Sequence, residues 1–225
     1  MRNHTLHALV WGVAWIGDCL VLPGPGQKED LLGKFKALAV LLLAFVAQVA
    51  WAHPHIWISS KAEVVVKHGT VEGFWATWTF DEMFSTVVTA FPHGADGRFS
   101  PDTIRAIQTH DFDNLSNFHY FCWVYWNGSR LFPTSVSHFQ TWLVAGGTKA
   151  VYRFFVPIHR RIHPGDELTL AMYDDSYYTQ ILWAKHQPLT GADGAVVRFR
   201  PNPGRAYYGG FVIPVEAHLI WEKAP

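Results

Sequence analysis

Cysteine is scarce in this chain: its 225 residues hold two, Cys19 and Cys122. Cys19 lies in an amino-terminal leader, so leader removal leaves one thiol and no intrachain disulfide. In an oxidising compartment a lone thiol is safest when buried, and Cys122 stands in an apolar run. Ile16-Gly17-Asp18-Cys19 is a poor lipoprotein signal, because Asp18 occupies the place of a small residue. Net charge is lacking as well. Of 18 basic and 18 acidic residues, four and three precede residue 53, which leaves 14 against 15 beyond it. No basic run is present to grip phosphates, which argues against a nucleic-acid partner. There is no nucleophile elbow, and Gly146-Gly147-Thr148-Lys149 lacks phosphate-loop spacing. No residue set compels a catalytic reading, so the expectation is a protein that is not an enzyme. After residue 53 no apolar stretch is long enough to span a membrane as a helix.

What is present begins with an export signal. Lys34 and Lys36 form a basic flank, Ala37 to Val49 is apolar except for Gln48, and Ala50-Trp51-Ala52 has the small-x-small pattern of a cleavage site. The expected organisation is a leader over residues 1–52, cleaved after Ala52, and one periplasmic domain over 53–225. Residues 7–22 are broken by Gly12 and Asp18 and followed by Pro23-Gly24-Pro25-Gly26, so residues 1–30 read either as a mis-called start or as part of an extended signal.

Strand signals dominate the remainder. Ile56 to Lys67 and Thr70 to Phe80 alternate around a His68-Gly69 turn, which predicts a β-hairpin. Alternation places Val71, Gly73, Trp75 and Thr77 on one face and Glu72, Phe74, Ala76 and Trp78 on the other. Met83, Phe84, Val87, Val88 and Phe91 recur at helical spacing behind Asp81, a natural N-cap. Ser100-Pro101 opens a second helix, which runs towards Asn117. Strands are expected again at 120–126, 132–144, 150–157, 167–173, 177–183, 195–199 and 211–221, with Asn127-Gly128 as a hairpin turn. Gly-Ala-Asp-Gly occurs at 94–97 and at 191–194 and reads as two turns. The fold class expected is mainly β, a β-sandwich-like domain with a short two-helix insertion after the second strand, its many aromatics serving as packing mass.

Chemistry concentrates at His53-Pro54-His55. Cleavage after Ala52 would place an amino group and two imidazoles within three residues. Pro54 has no amide hydrogen to lose, which removes one donor of the square-planar terminal chelate. Two modes remain: a brace on the amino group and ring of His53, or both imidazoles joined by carboxylates. In an extended segment His53 and His55 face the same side. Asp81 reads as an N-cap or as an oxygen ligand, and Asp174 as a turn residue or a ligand. His119 is a weaker third imidazole. His159 and His163 have i, i+4 spacing, but Pro157 and Pro164 bracket them and argue against a helix. The loop from Pro92 to Thr103 is similar to a calcium loop around Asp96-Gly97 but lacks its first carboxylates and its closing Glu.

Three segments carry a resemblance: His53-Pro54-His55-Ile56-Trp57, Trp78-Thr79-Phe80-Asp81-Glu82-Met83-Phe84-Ser85, and Leu170-Ala171-Met172-Tyr173-Asp174-Asp175-Ser176-Tyr177-Tyr178. In this order they resemble the exported bacterial proteins grouped as domain of unknown function 1007, labelled periplasmic components of an uncharacterised ABC-type transport system. The resemblance implies a role beside nickel/cobalt-type permeases or zinc-responsive systems, and it singles out His53, His55, Asp81 and Asp174. The expected function is a periplasmic binding protein for a divalent transition metal, Zn(II) first, then Ni(II), Co(II) or Cu(II), partnered by a membrane permease or ABC-type transporter. A structural sandwich docking on a permease and a copper-brace redox enzyme are the alternatives.

Overall fold

The computed structural model describes Leu38 and residues 54–223. The chain divides into two units, residues 1–51 and 52–225, and the fold that follows is that of the second. His53, like the proposed cleavage site, lies outside the described residues.

The domain is mainly β, built from two sheets in a sandwich-like arrangement. Strands β1 (Ile56–Lys67) and β2 (Thr70–Phe80) form the expected antiparallel hairpin. Its turn takes positive φ at His68 (48°) and Gly69 (69°), as a two-residue hairpin loop requires. With β5 (Ser137–Val144), β6 (Lys149–Arg161) and β8 (Thr179–Trp183) they make a sheet ordered β5-β6-β2-β1-β8, and the short β9 (Leu189–Thr190) also pairs with β1. The second sheet runs β10 (Val196–Pro201), β11 (Val215–Ile220), β7 (Glu167–Met172), β3 (Cys122–Trp126), β4 (Ser129–Leu131). Between β2 and β3 lies the helical excursion. Helix α1 (Glu82–Thr89) is capped by Asp81, and α2 (Pro101–Ile107) by Ser100 with Pro101 in its first turn. The chain then continues through one π-turn (Gln108–Phe112) and a 3₁₀ segment (Asp113–Phe121).

Three differences from the sequence expectation have clear physical causes. Val71 and Phe74 were placed on opposite faces by strict alternation, yet both are buried. The register against β6 shifts between Val71 and Gly73, and the one residue that such a bulge adds lets Val71 and Phe74, three positions apart, share the core face. The strand expected from Phe132 begins only at Ser137, after the 132–136 connection. The strand expected from Tyr120 begins at Cys122, because His119, Tyr120 and Phe121 hold φ of 52°, 53° and 51°. Aromatic residues enter this left-handed region rarely, at a cost on the order of 1–3 kcal/mol each, so surrounding packing imposes it.

The core is continuous between the sheets. Phe74, Trp78 and Phe154 from one meet Val124, Leu170 and Leu219 from the other. The Trp78 indole N–H reaches across to Met172 Sδ at 3.3 Å. Cys122 is buried in this core, and desolvation pushes its thiol far up from the ordinary range. Both Gly-Ala-Asp-Gly segments are turns pressed against the sheet with Arg98 bridged to Trp142. Gly191 (φ +73°) leaves no room for a side chain, since a Cβ there would stand 2.2 Å from Val64 O.

Candidate functional site

The three motif segments, far apart in sequence, are stitched together at one corner of the larger sheet. Strand β1 starts there. The His55 backbone N–H donates to Tyr178 O at 2.9 Å, and the two rings lie 4.8 Å apart at 38°. β1 and β8 run parallel, with Ile56 opposite Thr179 and Trp57 opposite Gln180. This pairing brings the 170–178 motif against the start of β1. No local signal in either segment announces it, because parallel strands need a long connection.

Asp81 joins the second motif to the first. Its Oδ1 accepts the Phe84 N–H at 2.9 Å, the N-cap bond, and its Oδ2 accepts the Trp57 N–H at 2.7 Å. In return the Asp81 N–H donates to Trp57 O at 2.9 Å. Ser85, fully buried, donates to Asp81 O at 2.6 Å and accepts the Ala150 N–H at 2.8 Å, which ties the helix start to β6. Asp174 does the same work in the third motif. Its Oδ1 accepts the Ser176 N–H (2.9 Å) and hydroxyl (2.6 Å), and its Oδ2 accepts the Thr179 N–H at 3.0 Å, the residue facing Ile56. Each carboxylate therefore spends both oxygens on fixing the corner, with lone pairs to spare on each.

His119 has a separate setting. Its Nδ1 lies 3.2 Å from Pro133 O and its ring packs on Phe132 at 5.2 Å. His159 pairs with Glu72 (3.1 Å) and His163 with Asp166 (3.3 Å), so the two do not share a partner. Among the described residues no three His, Cys, Asp or Glu side chains converge as a metal-ligand set.

Beneath the corner opens a pocket of about 320 Å³ between the sheet and the helical excursion. Ile56 and Ile58 of β1, Trp78 and Phe80 of β2, Phe84 of α1 and Phe121 form much of its wall. Asp174 and Thr179 line it from the third motif. Two of its polar groups escaped the sequence reading. Asp111 sits in the π-turn, a distortion that inserts one residue into the helical register and is common at functional sites. Its Oδ2 is buried with no hydrogen-bond partner among the described residues, and desolvation raises its carboxyl above the usual range against a smaller lowering by His110. Tyr152, 1% exposed in the middle of β6, likewise holds its hydroxyl buried and unpaired. Burial, and then the charge of Asp111, push that phenol well above its ordinary range. A polar residue at a non-periodic position before Phe112 was the one hint in the sequence.

Taken together, these elements define a two-sheet, aromatic-cored β domain whose first strand, bearing a histidine at its start, is locked to two carboxylate-centred turns over an apolar pocket. The chain belongs to the family described as Protein of unknown function (DUF1007), whose model matches residues 38–208. It is also 29% identical over 134 residues to an uncharacterized 15.5 kDa protein in the trpE 3′ region of Spirochaeta aurantia, a stretch that covers 57% of this chain and 94% of that protein. No solved structure matches.

Proposed function

We propose that this protein is an exported, periplasmic accessory protein that binds a divalent transition metal, Zn(II) or Ni(II)/Co(II), as cargo for a membrane permease or ABC-type transporter. One observation carries the reading. The segment that begins at His53-Pro54-His55 is held rigidly at its root, through Asp81 to Trp57 and through Asp174 to Thr179 opposite Ile56. A chelating tip on a fixed base suits capture and handover. In this reading His53 and His55 would supply nitrogen donors, and Asp81 and Asp174 would supply oxygen donors from their spare lone pairs. Such a mixed nitrogen and oxygen set releases metal more readily than thiolate, and Cys122 is buried in the core. No catalytic step is assigned.

The test is zinc and nickel titration calorimetry on protein recovered from the periplasm of an expression host, with the amino terminus confirmed as His53. The His53→Ala, His55→Ala double variant is titrated beside it. Sub-micromolar binding that disappears in the variant supports the cargo role, and absence of binding by the authentic protein refutes it. A purely structural docking role is the second reading. It is favoured by apolar side chains left outside around β10 and β11, where Phe211 is 86% exposed and Phe199, Ile213 and Val215 are exposed with it. That reading expects the double variant to retain wild-type association with membranes carrying the permease.

A further inference from the structure

We infer that the pocket beneath the corner binds a small organic cation, an ammonium head on an apolar or aromatic body, held by Asp111 and Tyr152. The inference is independent of the metal reading, since neither residue belongs to the proposed metal set.

The argument starts from two acceptors without donors. Asp111 Oδ2 and Tyr152 Oη are both buried, and neither has a hydrogen-bond partner among the described residues. They lie near enough for the Asp111 charge to act on the phenol, yet they do not bond to each other. Leaving such groups unsatisfied is costly in a folded protein and calls for a specific explanation. A ligand bringing several N–H donors into the pocket they both line would supply each with a partner.

The surroundings say what kind of donor. Asp111 and Asp174 are the charged residues among the described lining, and no Lys, Arg or His joins them. Asp174 already accepts three donors, from Ser176 and Thr179. Asp111 thus faces a low-dielectric space without a counter-charge from the wall. Besides Tyr152, that wall carries the rings of Trp78, Phe80, Phe84, Phe118, Phe121 and Tyr178. A carboxylate set among aromatic rings is the arrangement that recognises organic ammonium groups, because ring faces attract a cation that they do not need to hydrate. A bare divalent metal would instead need several more oxygen or nitrogen ligands than two. The volume, about 320 Å³, lies at the small end of ligand pockets, which run from about 300 to 1,000 Å³. Phe118 and Tyr178 line the pocket and are exposed, so it has a route to solvent. The strained run His119–Phe121 sets Phe121 into the wall, and such strain persists where packing over-determines it.

The experiment compares three probes of like size on the full exported protein in EDTA: 2-phenylethylammonium, 2-phenylethanol and 3-phenylpropionate. Binding is followed by quenching of tryptophan fluorescence and by ligand-observed NMR. The expected result is saturable binding of the ammonium, more than about tenfold weaker binding of the alcohol, and none of the carboxylate. Asp111→Asn should abolish the preference for the ammonium over the alcohol, and Tyr152→Phe should weaken the ammonium about threefold to tenfold. Near-UV circular dichroism verifies that each variant is folded, and the three-probe comparison on the unaltered protein decides the matter even if one is not. Equal affinity for ammonium and alcohol would reduce the site to a neutral apolar cavity and overturn the inference. So would failure of all three probes to saturate at millimolar concentration, or undiminished ammonium binding in Asp111→Asn.

Discussion

Replacing Asp81 by Ala separates its two readings, cap and ligand, in one measurement made without metal. The side chain holds two backbone donors, Phe84 N–H at 2.9 Å and Trp57 N–H at 2.7 Å. Loss of an N-cap costs about 1 kcal/mol. The bond to Trp57 is charge-assisted, worth about 1.5–3 kcal/mol when the donor is stranded, and the lower end applies because water reaches this corner. The sum is about 2–3 kcal/mol. For a domain of this size each kcal/mol moves the midpoint about 2–4 °C, so Asp81→Ala should melt roughly 5–10 °C lower in EDTA. Asp81→Ser retains a capping oxygen but cannot reach both donors, and should lose about half as much. Urea unfolding followed by tryptophan fluorescence, with unchanged slope, gives the same quantities as free energies. A residue that serves only as a ligand predicts the reverse: metal-free stability as in the wild type, and loss of metal-dependent stabilisation. Metal-free Asp81→Ala within about 0.5 kcal/mol of wild type would refute the structural reasoning.

Cys122 should resist iodoacetamide in native buffer and react only beyond the urea midpoint, as read by intact mass, because burial keeps the thiol protonated. Arg205→Ala should cost about 3–5 kcal/mol in urea unfolding, since it removes the cation 2.7 Å from Glu216, a carboxylate 1% exposed, and adding Glu216→Gln should recover part of that loss. Burial acts to raise the Asp166 carboxyl, but donors from Asn127 and His163 outweigh it and hold it below the usual carboxylate range. With the folded value depressed, its stabilisation is complete above the unfolded value near about 4 and fades as pH falls through the folded one. Asp166→Asn should therefore be less stable than wild type at pH 6, and the gap between their urea midpoints should close on acidification from about pH 4 towards pH 2.

Much of this fold was legible because it rests on local rules. Alternation around His68-Gly69 specified the first hairpin, and Asp81 and Ser100-Pro101 announced two helix starts that the structure places where they were read. The mainly β class and the position of the helical insertion followed from the same periodicities. Asp81 and Asp174 were recognisable as residues that matter at turns, and their hydrogen bonds now state which backbone groups they hold.

Other features depend on contacts between distant segments, and no window of sequence contains them. The bulge at Val71 and Gly73 exists because β2 must match β6, so strict alternation misassigned a face. The parallel pairing of β1 with β8 joins residues more than a hundred positions apart and creates the corner where the three motifs meet. Asp111 looked like one more polar residue on a helix. The π-turn and the closing of the sheets around Trp78 and Tyr152 placed its carboxylate in an apolar pocket. Local propensity and capping act within a few residues and can be read from the chain. Desolvation is set by everything that packs around a group, so only the tertiary structure could decide which polar atoms would be left waiting for a partner.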